Sequence, residues 1–157
     1  MLLTSFDNKH ITHFECGQYH NAAVANGQLY TWGWGVFGQL GNGTIENSFL
    51  PEVVNFFDDK KISQLALGHN HTMVLCVDKN ELTSLYVFGS NHFGQLGIND
   101  PFGEHMVNKS LVPVKLYLPS NADLNITMIN TKFFSNLVVD KKNNLYTWGT
   151  SPHALHF

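Results

Sequence analysis

Gly17-Gln18-Tyr19-His20, Leu29-Tyr30-Thr31-Trp32-Gly33 and Phe37-Gly38-Gln39-Leu40-Gly41 return in the same order as Gly68-His69-Asn70-His71, Leu85-Tyr86-Val87-Phe88-Gly89 and Phe93-Gly94-Gln95-Leu96-Gly97. An offset of 51 also carries Phe6, Asp7, Lys9 and Ile11 onto Phe57, Asp58, Lys60 and Ile62. Ser48-Phe49-Leu50-Pro51 recurs as Ser110-Leu111-Val112-Pro113. A weaker third copy runs from Ile126 to Gly149 and repeats the aromatic strand as Leu145-Tyr146-Thr147-Trp148-Gly149. A unit of this size cannot bury both its faces alone. It must stack on its neighbours, so the repeat sets the architecture.

Each copy carries four short apolar runs ending at Gly, Asn, Asp or Pro, and no run has a sustained helical period. In the first copy they are Leu2–Phe6, Ile11–Cys16, Asn21–Ala25 and Gln28–Gly33. Such runs are strands. Asn26-Gly27 between two of them demands a tight hairpin, because a type I′ turn needs positive φ at both central residues. Met73 to Val77 is apolar at nearly every position, as in a sheet buried on both faces. Four-stranded antiparallel sheets sandwiched between copies of themselves are propeller blades. The expected fold is therefore all-β: a partial propeller of about three blades, with equivalents at 2–44, 45–100 and 101–157, forming a single domain.

The composition narrows the function. The 157 residues are 43% hydrophobic and 13% charged, as in a folded chain with a core. No apolar run is long enough for a membrane-spanning helix. The start lacks a basic region and a long apolar stretch, so an intracellular chain is expected, cytoplasmic rather than nuclear. Net charge is −3 and every one of the nine cations is lysine. Without arginine, guanine edges and phosphates lose their usual bidentate reader, so nucleic acid is not an expected partner. Cys16 and Cys76 fit no metal or disulfide framework and read as buried thiols.

Gly-x-x-His, an aromatic strand ending in Trp-Gly, and Gly-Gln-Leu-Gly together resemble the regulator of chromosome condensation repeat. Gly17, His20, Trp32, Gly33, Gly38 and Gly41 carry the resemblance in the first copy. Gly68, His71, Phe88, Gly89, Gly94 and Gly97 carry it in the second, with Phe88 in place of the usual Trp. Trp148 and Gly149 carry it in the third. There Thr131 stands where Gly is expected, Phe134 where His is expected, and Thr150-Ser151-Pro152-His153 replaces the Gly-Gln-Leu-Gly stretch. The family builds seven-bladed propellers, so the resemblance implies an arc whose remaining blades lie in the same or another chain.

The resemblance implies a non-enzymatic protein–protein interaction module, a scaffold with a small GTPase among its possible partners. Guanine-nucleotide exchange on a small GTPase is one alternative, and target recruitment for a ubiquitin ligase is another. The exchange branch inserts a wedge after the Trp-Gly strand, whereas Ser90–Phe93 and Trp34–Phe37 are short. The photoreceptor branch uses arginine–tryptophan clusters, and this chain has no arginine.

No catalytic residue, metal or cofactor is expected. His20 and His71 recur in successive units and read as structural hydrogen-bonding groups. His69 with His71 has the spacing of a metal pair but lacks a third ligand. Gly33-Trp34-Gly35-Val36-Phe37-Gly38 matches a dinucleotide fingerprint in letters, but no helix follows it. Trp34, Val36 and Phe37 form the candidate partner contact, since Ser90 at the equivalent of Trp34 shows that the fold does not need an aromatic there. The competing reading packs Trp34 on its own turn or on the adjacent blade.

Overall fold

The computed structural model describes residues 1–98, 107–119 and 125–149. Among these residues, eleven strands form three antiparallel sheets in chain order. The first sheet orders β1 (Ile11–Cys16), β2 (His20–Ala25), β3 (Gln28–Gly33) and β4 (Ser48–Val53). The second orders β5 (Lys61–Leu67), β6 (His71–Val77), β7 (Thr83–Ser90) and β8 (Lys109–Leu116). The third orders β9 (Ile126–Lys132), β10 (Ser135–Asp140) and β11 (Leu145–Trp148). The first strands meet from sheet to sheet, β1 on β5 and β5 on β9, so they form the inner wall of a propeller arc. Asn26 and Gly27 have φ of 47° and 78°, the conformation a two-residue hairpin requires.

Three expectations are corrected. Leu2–Phe6 is not a strand; Thr4–Phe6 is a 3₁₀ turn, and Asn55–Phe57 is its counterpart. The blade equivalents 2–44, 45–100 and 101–157 are sequence units, and the hydrogen-bonded sheets are cut elsewhere. The Ser48–Val53 run that opens the second unit pairs with β3, and Lys109–Leu116 pairs with β7, so the first two sheets borrow their outer strands from the next unit. The reason is covalent reach: after β3 the chain loops back onto that strand's free edge before starting the next sheet. Residues 150–157, including the Thr150–His153 stretch, lie outside the described residues.

The third correction is one of register. Asn136 pairs with Trp148 as Asn21 pairs with Trp32 and Thr72 with Phe88. Ser135, not Phe134, therefore occupies the place of His20 and His71. Likewise Lys132, not Thr131, occupies that of Gly17 and Gly68.

Two cores lie between the sheets. The first joins Ala22, Val24 and Leu29 to Leu65, Val74 and Phe88, with Phe57 beneath. The second joins Met73, Leu75, Leu85 and Val87 to Ile129 and Val138, with Trp148 at its margin. Phe88 is fully buried, whereas Phe14 is 75% exposed. Phe88→Ala should therefore cost about 3–5 kcal/mol in chemical denaturation, and Phe14→Ala within about 0.5 kcal/mol. Similar losses for the two would contradict this assignment of the core.

Candidate functional site

The repeat motif builds the joint between sheets. His20 Nε2 lies 2.8 Å from Thr72 Oγ1, and that hydroxyl donates to the Gln39 carbonyl at 2.9 Å. One joint further on, His71 Nε2 lies 2.7 Å from Asn136 Oδ1, and Asn136 Nδ2 donates to the Gln95 carbonyl at 2.7 Å. Trp148 Nε1 donates to the same carbonyl at 3.0 Å. Because Thr72 and Asn136 use their own hydrogens on Gln39 and Gln95, each histidine must donate from Nε2. Nδ1 of each ring then carries a lone pair with no partner. Glycine is required beside each ring: a Cβ on Gly17 would lie 2.6 Å from the His20 ring and from the Gly68 carbonyl, and one on Gly68 would strike the His71 ring. Gln39 and Gln95 also accept from the backbone N–H groups of Phe37 and Phe93, which holds the loops above the joint.

Burial lowers the His20 pKa to about 3, with further lowering by His71, and burial lowers that of His71 to about 4 against the opposing Asn136 hydrogen bond. Neither ring is poised for acid–base work near neutral pH. Both rings are buried and neutral, and each hydrogen-bonds across a joint between sheets. Cys76 is buried and its thiol is pushed up to about 12 by that burial, but Cys16 is exposed, contrary to the buried reading.

The loops β1–β2, β3–β4, β5–β6, β7–β8 and β9–β10 leave the sheets at one end and carry a strip of rings. Trp34 stacks on Tyr19 at 5.0 Å between centroids. Tyr19 meets the edge of His69 at 5.3 Å, His69 meets Phe134 at 4.9 Å, and Phe134 meets Phe93 at 4.4 Å. Trp34 is 51% exposed and Tyr19 45%, with Val36, Phe93 and Phe133 also exposed. Phe37 is half-buried and turns its ring to His92 at 6.0 Å. Trp34 thus packs one face on its own sheet's Tyr19 while half its surface stays open.

His69 belongs to this strip, and His71 Nε2 is committed to Asn136; among the described residues no three His, Cys, Asp or Glu side chains cluster as a metal site. Trp34, Val36 and Phe37, the contact expected from the sequence, lie at this end of the fold beside Tyr19, His69, Phe93, Phe133 and Phe134, which the sequence reading did not assign to a contact. The available signal was the variable pair inside Gly-x-x-His, which reads Gln18-Tyr19 and His69-Asn70, and Phe133-Phe134 once the register is right.

Models of the regulator of chromosome condensation (RCC1) repeat match residues 26–75 and 62–95. The chain belongs to this repeat family. It is 31% identical over 153 residues to the ultraviolet-B receptor UVR8 of Arabidopsis thaliana, covering 97% of this chain and 32% of the receptor. It is 33% identical over 143 residues to the X-linked retinitis pigmentosa GTPase regulator homolog of Caenorhabditis elegans, covering 89% of this chain and 9% of the relative. With human E3 ubiquitin-protein ligase HERC2 it shares 28% identity over 142 residues, 90% of this chain and 3% of the ligase. The chain thus spans a third or less of each. Among solved structures, Prp20p of Saccharomyces cerevisiae superposes with a TM-score of 0.70 at 23% identity, covering 96% of this chain and 33% of Prp20p. That likeness shows the propeller fold.

The buried histidines make stability depend on pH. Their folded pKa values lie below the ordinary 6.5, so the unfolded chain takes up protons first as pH falls. The stability due to the neutral rings is complete above about pH 6.5 and drains away toward pH 4. At about pH 5 each histidine should have cost about 2 kcal/mol relative to pH 7, read by denaturant titration at both values. His71→Ala, which orphans Asn136, should cost about 1–3 kcal/mol at pH 7 and flatten the pH dependence. An unchanged midpoint in that variant would remove the structural role.

Proposed function

We propose that this chain is a non-enzymatic protein-interaction module whose contact surface is the aromatic strip from Trp34 to Phe93, centred on Trp34, Val36 and Phe37. Its repeat membership supports a protein-interaction role. The observation that carries the choice of surface is the half-open Trp34 stacked on Tyr19: a large ring held rigid by one face, with the other free for a partner. Rigid aromatic anchors on loops bind with little entropy to lose. Nothing in the repeat's own packing needs Trp34, since Ser90 occupies its place in the second sheet.

A small GTPase is the partner class we favour. The name of the nematode relative, a GTPase regulator homolog, and the reported binding of Prp20p to Gsp1p and histones support that reading. We infer regulation by binding rather than nucleotide exchange, because the Trp34–Phe37 and Ser90–Phe93 stretches carry no inserted wedge. Photoreception is not carried over from the plant receptor, for want of arginine to build its clusters.

The test is a pull-down with wild type and Trp34→Ala, beside a nucleotide-release assay on a panel of small GTPases. Loss of the ring should weaken capture by about 30-fold, equivalent to about 2 kcal/mol, with the thermal midpoint unchanged. Equal recovery by the variant would remove Trp34 from the interface. Accelerated nucleotide release by the wild-type chain would replace the binding reading with exchange.

A further inference from the structure

We propose that Tyr19 is the positioning residue of the contact surface: its ring holds Trp34 ready for a partner, in the place where an asparagine would complete the joint below. The proposal rests on the reading of the aromatic strip as the contact surface.

The first two sheets share one backbone arrangement at this point. The Trp34 N–H donates to the Tyr19 carbonyl at 2.9 Å, and the Ser90 N–H donates to the Asn70 carbonyl at 2.9 Å. A Cβ on Gly33 would lie 2.6 Å from the Tyr19 carbonyl oxygen, and one on Gly89 would lie 2.5 Å from that of Asn70. The glutamines below match as well. Gln39 Oε1 accepts from the Phe37 N–H at 2.9 Å, and Gln95 Oε1 accepts from the Phe93 N–H at 2.8 Å. The side chains at the two loop positions are what differ.

In the second sheet the joint is complete. Asn70 is 7% exposed, and its Oδ1 accepts from Gln95 Nε2 at 3.3 Å. Ser90 beside it is buried. In the first sheet Tyr19 and Trp34 hold those two places. The Tyr19 ring turns to Trp34 and His69 and gives Gln39 no acceptor. Gln39 is fully buried, and its Nε2 has no hydrogen-bond partner among the described residues. A buried donor without an acceptor is destabilising, and native structures hold few of them.

An asparagine at position 19 would supply the acceptor, but an indole at position 34 would then have no ring to lie on. The first sheet thus gives up a buried hydrogen bond and gains a stacked pair about half open to solvent. Among the described residues nothing covers that open face, so the stack serves a partner rather than the fold. A local rule broken in one copy and kept in its sister is the mark of a functional position. An indole already fixed in place also has less freedom to lose on binding.

Three variants of the whole chain test this. Tyr19→Asn should move the Gln39 side-chain amide resonance toward that of Gln95. It should also melt at least about 3 °C above Tyr19→Ala, which likewise lacks the ring. In both variants, nitrogen relaxation at Trp34 Nε1 should report an indole that has become mobile. Tyr19→Phe, which keeps the ring, should restore the rigid indole. Against each purified small GTPase that binds the wild type, Tyr19→Asn should weaken capture about tenfold, the worth of a stacked aromatic pair, and Tyr19→Phe should recover it. A merely structural tyrosine would tie capture to stability, whereas Tyr19→Asn separates the two. Unchanged indole relaxation in Tyr19→Asn, a Gln39 resonance that does not move, equal midpoints for Tyr19→Asn and Tyr19→Ala, or capture by Tyr19→Asn equal to wild type would each overturn the proposal. A panel in which no GTPase binds the wild type counts against the partner class alone, and the relaxation and Gln39 measurements still decide the role of Tyr19.

Discussion

A histidine that must stay neutral to hold two sheets together is the constraint on which the rest of this molecule depends. Its Nε2–H crosses the joint to a side chain of the next sheet, and that side chain returns a hydrogen bond to a glutamine carbonyl of the first. The link closes only if glycine stands beside the ring, because any Cβ there would occupy the ring's space. It also fixes the height of the Gly-Gln-Leu-Gly turn under Phe88 and Trp148. The hydrogen bonds add direction to an apolar contact that has none of its own: burial brings the sheets together, and the relay sets their register.

The sheets are cut out of phase with the sequence repeat, and that has a mechanical consequence. Because β4 and β8 come from the following unit, neither of the first two sheets is complete without its neighbour's chain. Each sheet is therefore tied to the next both covalently and through the buried joint. The outer strands β4 and β8 carry Pro51 and Pro113, which lack an N–H to offer a further strand.

Above the joints the constraint relaxes. Tyr19, Asn70 and Phe134 share one structural position and differ in every copy, as do Trp34 and Ser90. The scaffold tolerates each of these side chains, so they are where a surface specific to this protein can be written. Here they produce a strip of rings that crosses all three sheets, half of it open to solvent.

From the residues alone, the repeat, the all-β class and the Asn26-Gly27 hairpin were legible, because each rests on local chemistry or on recurrence. Which strands share a sheet was not, since letters mark where a strand lies but not which edge it finds. The register of the third copy was not legible either: Phe133 takes φ of 54° in the β9–β10 turn, and only the pairing of Asn136 with Trp148 shows that Ser135 holds the histidine's place. The aromatic strip likewise exists only in three dimensions. Its members come from five loops, and what unites them is that the joints below bring those loops to the same end of the fold.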